Sequence, residues 1–529
     1  MEFWAKSLRI FKYLCDHGRQ SVRRMAQQTE LSKSSVHRLQ HAMERRHRHP
    51  ESWLWETEDG RQWLTRLVVA TLYTFGLKRG VGLDTMSEFF TRLHLATQVG
   101  CSPSALRGVM QALEAALLET AAAWEQQGCA RGEMREVIGA VDETFLERML
   151  LVCMDLATGY LLLEEAADDR TYTTWKALVE ARLTGLGTGV LYVVSDRAKA
   201  LIQLAEQGLE CLSMPDFFHV AHEIVKSYSL AIGQRWRHAQ QELTKAPEAL
   251  ARRQGVVQAE QAPHEARALV QARQAEVTRW AEAHHIYRIH LESLSLTRHP
   301  FRLSGSTPQS SAQVESQLTA VVEAIEALAR DHQLPARHDA MTKVRKQIPA
   351  LAALVDFWWQ GVHQDLEPFL LSPKWQQWGH ECLLPMVYWA YQVPRTRCRR
   401  RKAKIQEALA AVRTAFEQHA ITQQLAPHVL AEWHAWANDR VKAFQRASSA
   451  VEGRNGFLSQ MHHNQRGLPK QRYKVWTVLH NFDCRAVDGT TPAVRFFRQT
   501  FPDLFETVLS RIDALPQPRR RKRQVALSH

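Results

Sequence analysis

With 529 residues, 45% of them hydrophobic, the chain can bury several cores, so three or four domains are expected and a wholly disordered polypeptide is excluded. Lys and Arg number 68 against 55 Asp and Glu, and the resulting +13 charge points to a polyanionic partner. The eight cysteines are scattered without a CxxC pair, which argues against a zinc ribbon or a disulfide scaffold, and neither a signal peptide core nor a run of about 20 apolar residues is present, so a soluble, cytoplasmic protein without a membrane partner is expected.

Residues 6 to 46 predict three short helices with a sharp turn, because Met25, Ala26, Leu31, Val36 and Leu39 are spaced to close a small core. Ser32 is placed to cap the last helix. The polar residues that follow it, Lys33, Ser34, Ser35, His37 and Arg38, suit phosphates and base edges in a helix-turn-helix, while an ordinary three-helix bundle is the plainer alternative. A first domain is therefore drawn at 1–50 and a helical second domain or linker at 51–133. Within the latter, 83–120 could repeat the motif, with Ser102 as N-cap and Pro103 at the first helical position.

From Glu136 the pattern changes to period two and to continuous apolar runs. REVIGAVDET, FLERMLLVCMDLA and GYLLLEEAA predict three strands. YTTWKALVEARLTGL predicts a helix, VLYVVSD a buried strand ending on a carboxylate, RAKALIQLAEQG a helix, LECLSMPD a short strand, and FFHVAHEIVKSYS a further helix. That order predicts an α/β RNase H-like core with a mixed five-stranded sheet. A doubly wound fold, the competing reading, would alternate strand and helix from the start. The core is placed at 134–219 and resumes at 441–490. A helical insertion is placed at 220–440 and a C-terminal helix with a basic tail at 491–529.

In the insertion, Trp358, Trp359, Trp375, Trp378 and Trp389 read as core, and the run RTRCRRRKAK at 395–404 as a solvated helix face or a grip on DNA backbone through Arg399, Arg400 and Arg401. The tail PQPRRRKRQVALSH has the composition of an unstructured segment that adds nonspecific DNA affinity.

Asp142 lies near the end of the first strand and Asp196 at the end of the fourth. On neighbouring strands the two carboxylates would meet at one edge, and they would repel unless a divalent cation lay between them. Glu452, in SSAVEGRNGFLSQMHHNQRG, is the candidate third carboxylate, with Glu223 of HVAHE as its rival. Glu143 should face the other side of its strand, and Asp155 falls at a turn. His219 and His222 could share a helical face as metal ligands, but a DNA contact or a structural role suits them better, since no further ligand completes a zinc site.

Taken together, VDET, VVSDRAKAL, DFFHVAHE, the long helical insertion and SAVEGRNGF resemble the DDE family of bacterial insertion-sequence transposases over roughly 136–490. The resemblance implies that Asp142, Asp196 and Glu452 are catalytic and hold two Mg²⁺ or Mn²⁺ ions per site. It implies that Arg454 and Asn455 contact DNA or orient the carboxylate, and that His219 lies in the aromatic and His segment after the fifth strand. The implied partner is double-stranded DNA, both element ends and target, bound by at least a dimer in a nucleoid-associated setting. A noncatalytic DNA-binding protein, an RNase H-like nuclease and a transcription regulator remain alternatives.

Overall fold

At the N-terminus, side-chain oxygens meet the first free amides of short helices. The chain begins with α1 (Glu2–His17), α2 (Val22–Thr29) and α3 (Lys33–Arg48). Ser21 Oγ accepts from Arg24 N at 3.4 Å, and Ser32 Oγ from Ser35 N at 3.2 Å. Met25, Ala26, Val36 and Leu39 form the small buried core the spacing predicts, joined by Ile10, with Leu31 packed against it. Burial of side chains such as Val36 or Leu39 contributes roughly 1.5–3 kcal/mol each and leaves Lys33, Ser34, His37 and Arg38 exposed on the outer face of α3.

The computed structural model describes residues 2–130, 132, 134–254, 262–465, 471–512 and 514–518. They fall into two units, one made of Met1–Glu133, Phe145–Arg148 and Asn455–His529, the other of Met134–Thr144 and Met149–Arg454. The basic tail from 519 onward lies outside the described residues.

The first unit continues with α4 (Glu58–Thr71), α5 (Leu83–Arg92) and α6 (Pro103–Cys129). Ser102 caps α6, accepting from Ala105 N at 3.3 Å, and Pro103 opens it.

The second unit carries the sheet, formed by β1 (Arg135–Phe145), β2 (Met149–Asp155), β3 (Leu161–Ala167), β4 (Thr188–Ser195) and β5 (Leu212–Pro215) in the order β3-β2-β1-β4-β5. β2 and β3 are antiparallel, whereas β4 runs parallel to both β1 and β5. Asp155 closes the β2–β3 turn by accepting from Ala157 N at 3.3 Å and Thr158 N at 3.0 Å, and ties it to β1 by accepting from Ile138 N at 3.1 Å, so this acid is structural. Helix α7 (Tyr172–Leu186) ends on Gly187 at φ 60°, a left-handed cap that favours glycine, and α8 (Lys199–Gln203) leads toward β5.

Helices α9 (Phe217–Gln254), α10 (Ala262–Thr297), α11 (Ser311–Asp331), α12 (His338–Leu366), α13 (Pro373–Trp378), α14 (Leu384–Arg395), α15 (Arg399–Gln418), α16 (Ala420–Gln424) and α17 (Pro427–Lys442) follow. The sequence predicts this stretch as a helical insertion domain, and its buried core is continuous with that of the sheet, running from Ile138, Met154, Tyr192 and Met214 through Phe217 and Ile224 to Trp358, Trp378 and Trp389. The indoles are core residues whose N–H groups find partners, as in Trp358 Nε1 to Arg440 O at 2.6 Å and Trp389 Nε1 to Ser306 Oγ at 3.0 Å.

Helix α18 (Ser449–Gln465) gives its first turns to the second unit and its remainder to the first. Sequence pattern carries the sheet domain on to 490, but from Asn455 onward the chain belongs with the N-terminal helices. The reason lies in α19 (Arg472–Asp483), α20 (Pro492–Phe497) and α21 (Leu504–Leu509), whose apolar residues bury in that unit. Trp476 donates to Leu77 O at 2.9 Å, and a Cβ on Gly128 of α6 would lie 2.3 Å from the Phe497 ring. Among the described residues no helix is long and apolar enough to cross a membrane.

Candidate active site

The register of two parallel strands sets the site. Ala140 of β1 lies opposite Val194 of β4, so two residues further along each strand Asp142 and Asp196 come level at the same edge of the sheet. Asp142 is half-buried and Asp196 exposed. Asp142 Oδ1 accepts from Glu143 N at 3.0 Å, and Asp196 Oδ1 accepts from Ala198 N at 2.8 Å. Between Asp196 and Ala198, Arg197 adopts φ 63°, a left-handed conformation unusual for a side chain of its size.

Glu452 comes from the first turn of α18, whose start is tied down from two sides. Ser448 O accepts from Val451 N at 2.7 Å and from Glu452 N at 3.1 Å, and Ser448 Oγ bonds the buried Asp216 carboxylate at the head of α9. Tyr192 of β4 holds the approach to this helix, accepting from Gln445 N at 2.8 Å and donating to Ala443 O at 2.8 Å. His219, one turn into α9, lies 3.5 Å from Glu452 and 3.8 Å from Asp216.

The electrostatics join these elements. Burial, and after it the charge of Glu452, push the Asp142 carboxyl up to about 7; the Glu143 amide and His219 pull in the opposite direction. A proton or a cation relieves that strain. Glu452 and Glu143 both raise Asp142, and Glu143 itself pairs with Arg170. Carboxylate oxygens are the donor type that a hard divalent cation such as Mg²⁺ or Mn²⁺ takes, and His219 is the cationic group beside them when protonated. The three acids do not close to within 4.8 Å of one another as a single set; among the described residues the trio that does so is His49, Glu51 and His94 of the first unit.

Arg454 requires a correction. It is not available to DNA: its guanidinium bonds both carboxylate oxygens of Glu164 on β3, at 2.6 and 2.8 Å, with both side chains buried. On a helix, residues two apart point about 200° from each other, so Glu452 and Arg454 face opposite ways, a signal already present in the E-x-R spacing. Asn455 is half-buried. Sequence reasoning missed Glu164 and Ser448, because the partner that explains each lies far away in the chain.

The basic run is also divided differently from its sequence pattern. Arg399 is exposed, Arg400 and Lys404 share Glu292 at 3.7 and 2.8 Å, and Arg401 is half-buried, with Nη1 on Ser295. The run is therefore not one solvated face. On α3, Lys33, Ser34, His37 and Arg38 are exposed and Ser35 half-buried.

Comparison with known families bears on both ends of the chain. Residues 5–47 match the IclR helix-turn-helix domain, an architecture whose last helix enters the major groove of DNA. Residues 380–524 match a family of unknown function, DUF6399, and this segment contains Glu452, Arg454 and Asn455. No curated protein and no solved structure matches the chain.

Proposed function

We propose that the chain is a DNA transposase that binds element ends through α3 and cuts and rejoins phosphodiesters at Asp142, Asp196 and Glu452 on an RNase H-like core. The observation that carries the reading is the level placement of Asp142 and Asp196 on adjacent parallel strands, with Glu452 close enough to raise the Asp142 carboxyl. The strand order β3-β2-β1-β4-β5 supports the RNase H-like assignment, and the helix-turn-helix domain supports DNA binding.

In this reading Asp142 is the central ligand, flanked by Asp196 and Glu452. These carboxylates would hold Mg²⁺ or Mn²⁺, whose charge would make a water or 3′-hydroxyl a better nucleophile and steady the leaving oxygen. Burial and the charge of Glu452 raise the Asp142 carboxyl, so a positive charge at this position would be favoured. The Glu164–Arg454 pair and the Asp216–Ser448 bond orient α18 and hence Glu452, and His219 lies beside Glu452 to hold that carboxylate.

A plasmid carrying the reading frame with its flanking DNA tests the proposal. The purified chain should nick at the element boundaries with Mg²⁺ or Mn²⁺, bind without cutting in Ca²⁺, and join the released 3′ ends to a second duplex. Cutting without joining would make the protein a nuclease, and binding without cutting in any metal would make it a noncatalytic DNA-binding protein.

A further inference from the structure

We propose that Arg298, Arg401 and Arg446, with Arg395 at the margin, form a receptor for a phosphoryl group. The four arginines come from separate places in the chain: the end of α10, the first turn of α15, the segment before α18, and the end of α14. Their convergence is therefore a property of the fold and not of the basic run alone.

Arg298 lies with its guanidinium 3.6 Å over the Phe217 ring, and its Nη1 is enclosed with no hydrogen-bond partner. Arg446 Nη1 bonds Arg298 O at 2.9 Å and lies 3.1 Å from His299 Nδ1. His299 is buried against Tyr388 OH at 2.6 Å, and Arg401 reaches Ser295. Arg298 Nε also donates to Ser295 O at 3.2 Å, so the donor these contacts leave enclosed and unpaired is Arg298 Nη1.

Among the described residues, none of the four arginines has a carboxylate within 4.0 Å. Asp216 is the acid that acts on Arg298, but its oxygens are committed to Ser448 and to Phe218 N at 2.7 Å. Burial, followed by the charges of Arg446 and Arg401, pushes the Arg298 guanidinium well below its ordinary range; burial likewise lowers Arg446. Cys398, the residue before α15, accepts bonds from the Arg401 amide and side chain, which lower its thiol. Helix α15 brings no acid in its first turn and no side-chain cap.

Like charges gathered in a partly dry site are stable only if something anionic joins them. Planar guanidiniums offering paired N–H donors match a tetrahedral oxyanion. A carboxylate ligand would satisfy one guanidinium, whereas the oxygens of a phosphoryl group can bridge several. The phosphate could belong to a DNA backbone or be free in solution. Assigning it to DNA rests on the transposase reading; the receptor itself does not.

The test uses the full chain in EDTA, so that cleavage plays no part. Thermal midpoints are compared in sodium phosphate and sodium chloride of equal ionic strength, and duplex affinity is read by fluorescence anisotropy. The wild type should show a phosphate-specific rise in midpoint, and Arg401→Gln should lose most of it while Arg401→Lys retains part. If the phosphate belongs to DNA, Arg401→Gln should also weaken duplex binding about tenfold, the loss expected for one charge-assisted contact. A lost phosphate response with unchanged duplex affinity assigns the receptor to free phosphate. Arg298→Gln serves as the second variant if Arg401→Gln fails to fold. Equal midpoints in the two salts for the wild type, together with unchanged duplex affinity in the folded variant, would overturn the proposal, as would a variant whose midpoint drops equally in both salts.

Discussion

Replacing Arg454 with Met should destabilise the sheet-bearing unit far more than loss of an ordinary ion pair. The guanidinium and the Glu164 carboxylate are 4% and 0% exposed, and they meet through two bonds of 2.6 and 2.8 Å. A surface pair is worth about 0–1 kcal/mol, because water replaces each partner when the other is lost. Here the surviving side chain is buried, so Arg454→Met leaves the Glu164 carboxylate without its guanidinium at a cost of about 3–5 kcal/mol. Glu164→Leu should cost a similar amount for the mirror reason. The double variant removes both charges and should recover to within about 1 kcal/mol of the wild type. Urea unfolding followed by tryptophan fluorescence reads the effect, since the core of this unit includes Trp358, Trp378 and Trp389. A loss under about 1 kcal/mol for Arg454→Met, or no recovery in the double variant, would refute the buried-pair reasoning and return Arg454 to the surface.

Further outcomes follow from other sites. Asp142 has its carboxyl raised from an ordinary value of 3.8 to about 7, so the folded chain holds that proton more tightly than the unfolded chain. Its contribution is favourable at low pH and is lost as pH rises from about 4 to about 7; Asp142→Asn should flatten that part of the stability profile, and a wild type no more pH-sensitive than the variant would contradict the environment described. Gly128→Ala would set a methyl group 2.3 Å from the buried Phe497 ring and should cost about 1–3 kcal/mol in thermal unfolding, whereas a neutral result would mean the ring yields freely. Lys33→Ala with Arg38→Ala on α3 should weaken binding to the flanking DNA and reduce the salt slope by about 2, and an unchanged slope would move DNA contact away from this helix.

What was legible in the sequence was local. Ser32 and Ser102 cap the helices their positions predict, YTTWKALVEARLTGL forms α7 over the same residues, and Asp142 and Asp196 end up level because strand ends can be read from apolar runs. What was not legible depended on distant partners. Nothing near Arg454 announces Glu164, which precedes it by 290 residues. The helical stretch after Phe217 has the pattern of a helical insertion domain, yet its apolar faces complete the core under the sheet. The run at 395–404 reads as one block of charge, but helical geometry turns Arg401 inward and Arg400 toward Glu292. Charge density is visible in one dimension, whereas the counter-charges are set by the fold.

The most direct test of the central claim is metal-dependent cleavage by Asp142→Asn, Asp196→Asn and Glu452→Gln, each of nearly the same volume as the residue it replaces. If the three acids serve one site, each change should abolish cleavage in Mg²⁺ while leaving folding and DNA binding intact, and pairs of changes should be no worse than single ones, because each removes the same step. Cleavage surviving in Asp142→Asn or Asp196→Asn would contradict the account, and cleavage surviving in Glu452→Gln but lost in Glu223→Gln would move the third role to Glu223.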